Sequence, residues 1–252
     1  MRTTWKPLSN ETKPLTFLLS LTFLFLFSCS EEKPKPEPKD DFQNAQDAVD
    51  AVDAYKRKDY ETAYKLIVPL AEQGDAEAQH NLGWMYAEGH GVSQDHKEAV
   101  KWFRLAAEQG NAIAQYNLGM MYANGDGVPQ DYKETVKWFQ LAAEQGIAQA
   151  QYNLGVGYLQ GQVVAQDYKE AIKWNRLAAE QGYAQDQFNM GAWYEYGIGV
   201  DQDLLLAHMW YNLAGSNGHK DGPKYKNILE KKMTKQQIEK AQEMARNWKP
   251  KK

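Results

Sequence analysis

A block of four residues, Ala-Glu-Gln-Gly, occurs four times in this chain of 252 residues, each time 36 residues after the previous copy. The copies occupy residues 71–74, 107–110, 143–146 and 179–182. A fixed period of this length is typical of repeat proteins, in which each unit is one supersecondary element that buries its apolar face against its neighbours. The period therefore predicts an elongated array of similar units.

Each unit has the pattern of two helices joined by a short loop. In the unit that ends at Gly110, apolar and small residues around Leu82 recur at spacings near 3.6 residues, as on one face of a helix. Gly89 and Gly91 then interrupt this pattern with residues that accept positive φ. Asp95 is placed to cap the N-terminus of a second amphipathic helix, and Gly110 to cap its C-terminus. The unit is therefore predicted to be an antiparallel helix hairpin.

The same pattern recurs in the later copies, with one departure at Val163, where the other loops carry a second glycine. One tryptophan per copy recurs on the second helix and is predicted to be core: Trp102, Trp138, Trp174 and Trp210. Upstream, a shorter hairpin whose second helix starts after Asp59 is predicted to cap the array. Downstream, a helix that starts at Thr234 carries an apolar stripe, and it is predicted to cover the C-terminal end.

The first 28 residues are typical of an export signal. A positively charged start is followed by an apolar run over residues 15–27, which is shorter than the roughly 20 residues needed to span a bilayer. The four residues that end at Cys29 resemble the bacterial lipobox, and this resemblance implies cleavage before Cys29 and lipidation of that residue. The alternative is a chance cysteine at the end of an ordinary signal peptide.

Residues 29–41 are charged and carry Pro34, Pro36 and Pro38, which favour an extended tether. Ser30 stands where an aspartate would favour retention in the inner membrane of many Gram-negative bacteria. The lipoprotein resemblance thus implies a lipid anchor in the cell envelope, on the periplasmic face of the outer membrane.

The charge is distributed unevenly along the chain. Residues 40–218 carry 25 acidic and 12 basic side chains, whereas residues 219–252 carry 11 basic and 4 acidic ones. An acidic body argues against nucleic acid as a partner. Cys29 is the only cysteine, so no disulfide within the chain is possible.

No pattern in the sequence predicts a catalytic site, a metal site or a cofactor. The five histidines lack metal-ligand spacing, and the Gly-x-Gly loops follow a helix instead of a strand. Residues that recur in every copy are poor catalytic candidates, because catalytic groups are normally single. Two polar columns recur in this way: Gln79, Gln115, Gln151 and Gln187, and Asn81, Asn117, Asn153 and Asn189. Both columns are predicted to form hydrogen bonds between adjacent units. Alternatively, the asparagines hold the backbone of a bound peptide.

The repeated pattern, A-x-A-Q-x-N-L-G-x-x-Y-x-x-G-x-G-V and then D-x-K-E-A-x-K-W-x-x-x-A-A-E-Q-G, resembles the Sel-1-like repeat over about residues 43–218. The resemblance implies an all-α fold: a right-handed α-solenoid of antiparallel helix hairpins with a C-terminal capping helix. It also implies that the first helices line a concave face, and that the protein is an adaptor or assembly scaffold. Some secreted, cysteine-rich members are linked to β-lactam binding or hydrolysis, which leaves a cell-wall-related hydrolase or binding protein as the alternative function.

The resulting interpretation is a lipid-anchored scaffold that binds a protein or peptide in a groove along the first helices. Its predicted parts are a signal peptide (1–28), a lipidated cysteine with a tether (29–41), about five hairpins (42–218) and a basic capping region (219–252). Positions that vary between copies on the first helix are favoured for contact, although their packing between hairpins is an open alternative. The predicted contact residues are His80, Asn81, Trp84, Tyr116, Asn117, Met120, Tyr152, Asn153, Asn189 and Trp193.

Overall fold

A computed structural model describes residues 41–161 and 165–250, with side chains from residue 43 onward. The expected signal peptide, Cys29 and the tether up to residue 40 lie outside the described residues, as does Val163. Within the described part, the chain forms twelve α-helices and no strand. The predicted all-α solenoid is therefore confirmed.

The helices follow one another with short connections. They are α1 (Asp41–Lys56), α2 (Tyr60–Glu72), α3 (Ala76–Glu88), α4 (His96–Glu108), α5 (Ala112–Asn124), α6 (Tyr132–Glu144), α7 (Ala148–Gln160), α8 (Tyr168–Glu180), α9 (Ala184–Tyr196), α10 (Leu204–Ser216), α11 (Gly222–Glu230) and α12 (Lys235–Asn247). Pairs α3–α4, α5–α6, α7–α8 and α9–α10 form the four full hairpins, and each second helix also packs against the next first helix. The hairpin α1–α2 precedes them as the N-terminal cap unit.

Helix boundaries are set by capping residues that recur in each copy. Asp95 accepts hydrogen bonds from the backbone N–H groups of Lys97 and Glu98, and its counterparts in the later copies do the same. Each first helix of these four hairpins ends at a glycine in the left-handed conformation, such as Gly89 with a φ of 72°. These caps fix the length of every helix in the four hairpins at 13 residues.

The second loop glycine is required by a close approach of two backbones. Gly127 has a φ of 71°, and a Cβ built on it would lie 2.3 Å from the carbonyl oxygen of His96 at the start of α4. A Cβ built on Gly91 would likewise lie 2.2 Å from the carbonyl oxygen of Tyr60. These two loops therefore rest on the first turn of the preceding second helix, and a side chain at Gly91 or Gly127 would separate the two copies.

The Ala-Glu-Gln-Gly block recurs because its glutamine joins adjacent copies. Gln115 on α5 donates from Nε2 to the carbonyl oxygen of Ala107 at 3.1 Å, near the end of α4. Gln145, the glutamine of the next block, donates to Gln115 Oε1 at 2.8 Å and to the carbonyl oxygen of Gly110 at 3.0 Å. The same bonds connect the other copies, so the prediction that the glutamine column bonds adjacent units is confirmed.

The C-terminal end of the array is covered by α11 and α12, which both pack against α10. At two outward positions of the second helix, earlier copies carry a glutamate and a lysine that pair with each other. The last copy carries Leu206 and Met209 there, and these pack in one cluster with Ala245 and Trp248 of the terminal segment. The predicted capping box of Thr234 is present, and the predicted capping helix is confirmed.

Candidate partner-binding surface

The predicted contact residues lie on the first helices α3, α5, α7 and α9, where side chains of neighbouring copies meet. Asn117 Nδ2 on α5 donates to His80 Nε2 on α3 at 3.2 Å. Asn153 Nδ2 on α7 lies 3.9 Å from Met120 Sδ on α5. The helix face that carries the asparagine column, here called the groove face, is therefore continuous from one copy to the next.

Four of the predicted contact residues are buried in the core and do not line an open groove. Tyr116, Met120, Asn153 and Trp193 are all less than a tenth exposed. The reason is that each first helix packs between two second helices, so most of its circumference is covered. In the structure, these four side chains pack between hairpins. Their direct contact with a partner stays a prediction, and none of the four has an exposed side chain to support it.

The remaining six predicted residues are half-buried: His80, Asn81, Trp84, Asn117, Tyr152 and Asn189. Burial lowers the pKa of His80 to about 4, against a smaller opposing effect of its hydrogen bond with Asn81. The imidazole is therefore neutral at physiological pH and accepts a hydrogen bond from Asn117. Asn189 accepts a hydrogen bond from Gln185 at 3.2 Å, although an amide has capacity for several.

The groove face also carries exposed residues that the sequence interpretation missed. Ile113 is 52% exposed one turn before Asn117, and Tyr196 is exposed at the end of α9. Glu77 lies at the position of Ile113 in the first copy, and burial, then the charge of Asp75, raises the pKa of its carboxyl. The signal that could have found them is their spacing from the asparagine column, four residues for Ile113 and Glu77 and seven for Tyr196, which places them on the same face.

At the N-terminal end, the groove face meets a small cleft of about 20 Å³, which is room for about one water molecule. Its floor is apolar and its rim is acidic and polar: Ala48, Ala51, Val52, Ile67, Leu70, Asp75, Glu77, Ala78 and Asn81. The cleft lies where α1, α2 and α3 meet.

The hairpins can be compared with known repeats, and the Sel1 repeat profile matches residues 76–111, 112–147, 148–183 and 184–219. The chain belongs to the Sel1 repeat family. Each match begins with a first helix and ends in the loop after the second one, so the sequence period and the structural unit coincide. Sel1 repeat proteins are in general non-catalytic scaffolds for protein–protein interaction.

Solved structures of Sel1 repeat proteins resemble this one. A Sel1 repeat protein from Oxalobacter formigenes is 35% identical, with a TM-score of 0.67 over 71% of this chain and 74% of that one. The protein c5321, a protective antigen present in uropathogenic Escherichia coli strains, displays the same repeat fold. It is 31% identical, with a TM-score of 0.53 over 81% of this chain and 53% of that one. No curated protein matches the sequence.

Two further features of this Sel1 repeat protein concern metal binding and membrane crossing. Among residues 41–161 and 165–250, no group of three or more His, Cys, Asp or Glu side chains is arranged to hold a metal ion. In the same part of the chain, none of the helices has the length and apolar character needed to cross a membrane.

Proposed function

We propose that this Sel1 repeat protein is a membrane-anchored scaffold of the cell envelope that binds a protein or peptide along its groove face. The observation that carries the proposal is the row of half-buried amides, Asn81, Asn117 and Asn189, beside the exposed side chain of Ile113. Amides in such a row can bond an extended backbone, while the neighbouring apolar side chains give contact area.

The charge of the array supports a basic or mixed-charge partner. The body of the chain from residue 40 to residue 218 has a large excess of acidic side chains. The cleft beside α1 adds a partly buried carboxylate, Glu77, to an apolar floor. Complementary charge raises the rate of encounter and disfavours acidic partners.

Site-specific photo-crosslinking tests the groove face directly. A benzophenone amino acid at Ile113 reports on the groove face, and one at Leu141, 37% exposed on the second helix of the same hairpin, is the matched control. With residues 40–252 as bait in envelope extract, we expect a crosslinked partner from position 113 and none from 141. Equal crosslinking from both positions, or from position 141 alone, would contradict the proposal.

Membrane anchoring rests on the apolar run of residues 15–27 and the lipobox-like sequence that ends at Cys29. The test is incorporation of an alkyne-labelled fatty acid in cells that express the full chain. We expect labelling and recovery in the membrane fraction, both lost in Cys29→Ser. An unlabelled wild-type protein that is released in soluble form would refute the anchor and leave the groove proposal unaffected.

A further inference from the structure

Two buried residues between the third and fourth hairpins depart from the repeat in the same direction, from apolar to polar. Asp186 on α9 stands where the other copies have a buried alanine: Ala78, Ala114 and Ala150. Asn175 on α8 stands where they have a buried aromatic ring: Phe103, Phe139 and Tyr211. Both polar side chains are 0% exposed. The counterparts of this pair, such as Phe139 and Ala150, belong to a single core cluster, so the two departures fall at one place in the array.

The departures leave hydrogen-bond acceptors without partners. Neither carboxylate oxygen of Asp186 makes a hydrogen bond of good geometry, and Asn175 Oδ1 has no partner either. The amide nitrogen of Asn175 is satisfied, because it donates to the carbonyl oxygen of Ala171 at 2.8 Å. An unpartnered buried acceptor loses its hydrogen bonds to water without replacement, so these positions are unfavourable for folding alone.

Two tyrosines lie beside the buried carboxyl and are the parts of this place that reach solvent. Tyr152 on α7 and Tyr183 before α9 are half-buried, and their ring centroids are 5.9 Å apart. Burial, and then the charge of Asp186, raises the pKa of both phenols. Burial also raises the pKa of Asp186 to about 8, with only a small opposing effect of its own backbone N–H.

A purely structural role for Asp186 is to stabilise the first turn of α9, whose start at Tyr183 has no side-chain cap. The preceding repeat argues against this explanation. Helix α7 likewise starts without a side-chain cap, at Ile147, yet it carries Ala150 at the position of Asp186. An uncapped start therefore does not require an acid at this position of the repeat.

We propose that Asp186, Asn175, Tyr152 and Tyr183 form a binding site for the side chain of a lysine or arginine on the protein partner. The assignment rests on the proposed function, since it assumes a protein partner. With the carboxyl ionised, the unpartnered atoms of Asp186 and Asn175 are all acceptors, so they match a group that has only donors, and ammonium and guanidinium are such groups. Tyr152 and Tyr183 bring two aromatic rings to the same place, and aromatic rings add cation–π attraction to a bound cation.

The experiment uses capped arginine amide as a probe, so it does not need the partner. Backbone amide shifts of residues 182–187 are followed by NMR during titration of the folded chain, with capped citrulline as the neutral probe of equal shape. Asp186→Ala restores the residue of the other repeats, and Asp186→Asn keeps the size of the side chain. Asp201→Ala removes the same charge from an exposed position on the same repeat and is the matched control.

We expect saturable shifts with arginine that are lost in both Asp186 variants, kept in Asp201→Ala and absent with citrulline. The Asp186→Ala variant should also have a higher Tm, because the buried acid is removed. The assignment is overturned if arginine gives no saturable shift at these residues, or if the shifts persist in the Asp186 variants. Failure of the groove proposal is separate, since it is read from crosslinking at Ile113 and not from this titration.

Discussion

The glutamine column allows a quantitative test of what joins the copies. Gln115→Leu keeps the approximate size of a buried side chain and removes two hydrogen bonds, to Ala107 and from Gln145. Neither partner is left without a bond, because the Ala107 carbonyl oxygen also accepts from Gly110 N–H, and the Gln145 amide also donates to the Gly110 carbonyl oxygen. At about 1 kcal/mol per bond, the expected loss in the free energy of unfolding is about 2 kcal/mol. For a chain of this size, that corresponds to a fall in Tm of about 4–8 °C.

The assay is thermal and urea unfolding of residues 40–252, with a double-mutant cycle that combines Gln115→Leu and Gln145→Ala. Because the two side chains bond directly, we expect a coupling of about 1 kcal/mol. Gln46→Leu is the control, since Gln46 makes only an exposed bond to Asp50 within α1, and its effect should stay within about 0.5 kcal/mol. Strictly additive effects, or a loss for Gln115→Leu no larger than the control, would refute the idea that the column joins the copies.

Three further changes have predictable effects. Gly127→Ala places a methyl group against the carbonyl oxygen of His96 at positive φ and should lower the free energy of unfolding by more than about 2 kcal/mol in urea titrations; a neutral result would contradict the close approach. Lys232→Ala leaves the buried Glu195 carboxylate without its 2.9 Å ion pair and should lower the free energy of unfolding in urea titrations, and this loss should be recovered in part by adding Glu195→Ala. Burial raises the pKa of Asp186 to about 8 in the folded chain, against 3.8 in the unfolded chain, so the native state binds more protons between these values and the wild type loses stability as pH rises from about 4 to 8. Urea titrations at pH 5 and pH 9 should show this loss in the wild type and not in Asp186→Asn. An equal change in the free energy of unfolding in both proteins would refute the raised pKa.

The fold was predictable because the repeat supplies the same signals several times. The caps of Asp95 and Gly89, the hairpin pattern and the terminal helix after Thr234 all follow from local chemistry. Exposure on the first helices was not predictable to the same degree. Periodicity identifies the face of a helix, but a helix such as α5 packs against helices on both sides, so variable residues such as Tyr116 and Met120 are buried there.

Departures from the repeat have different explanations at the ends and in the middle. At the C-terminal end, Leu206 and Met209 replace charged residues because the terminal helix covers them in place of solvent. Glu195 likewise replaces an alanine or leucine of the earlier copies and pairs with Lys232, beyond α11. Asp186 and Asn175 have repeat neighbours on both sides, so no missing neighbour explains them.

Because neither Asn175 nor Asp186 lies at an end of the array, a last prediction concerns how substitutions at these two residues interact. Asn175→Phe alone would place an aromatic ring at a buried carboxyl that has no partner, and the added burial should lower Tm. Asp186→Ala together with Asn175→Phe restores the aromatic–alanine arrangement of the other core clusters and should raise Tm above the wild type. Thermal unfolding of the wild type, both single variants and the double variant measures this coupling. Additive changes would mean that the two side chains do not share one site, whereas a change of sign for Asn175→Phe when Asp186 is replaced would place both at a common polar centre that the fold itself does not require.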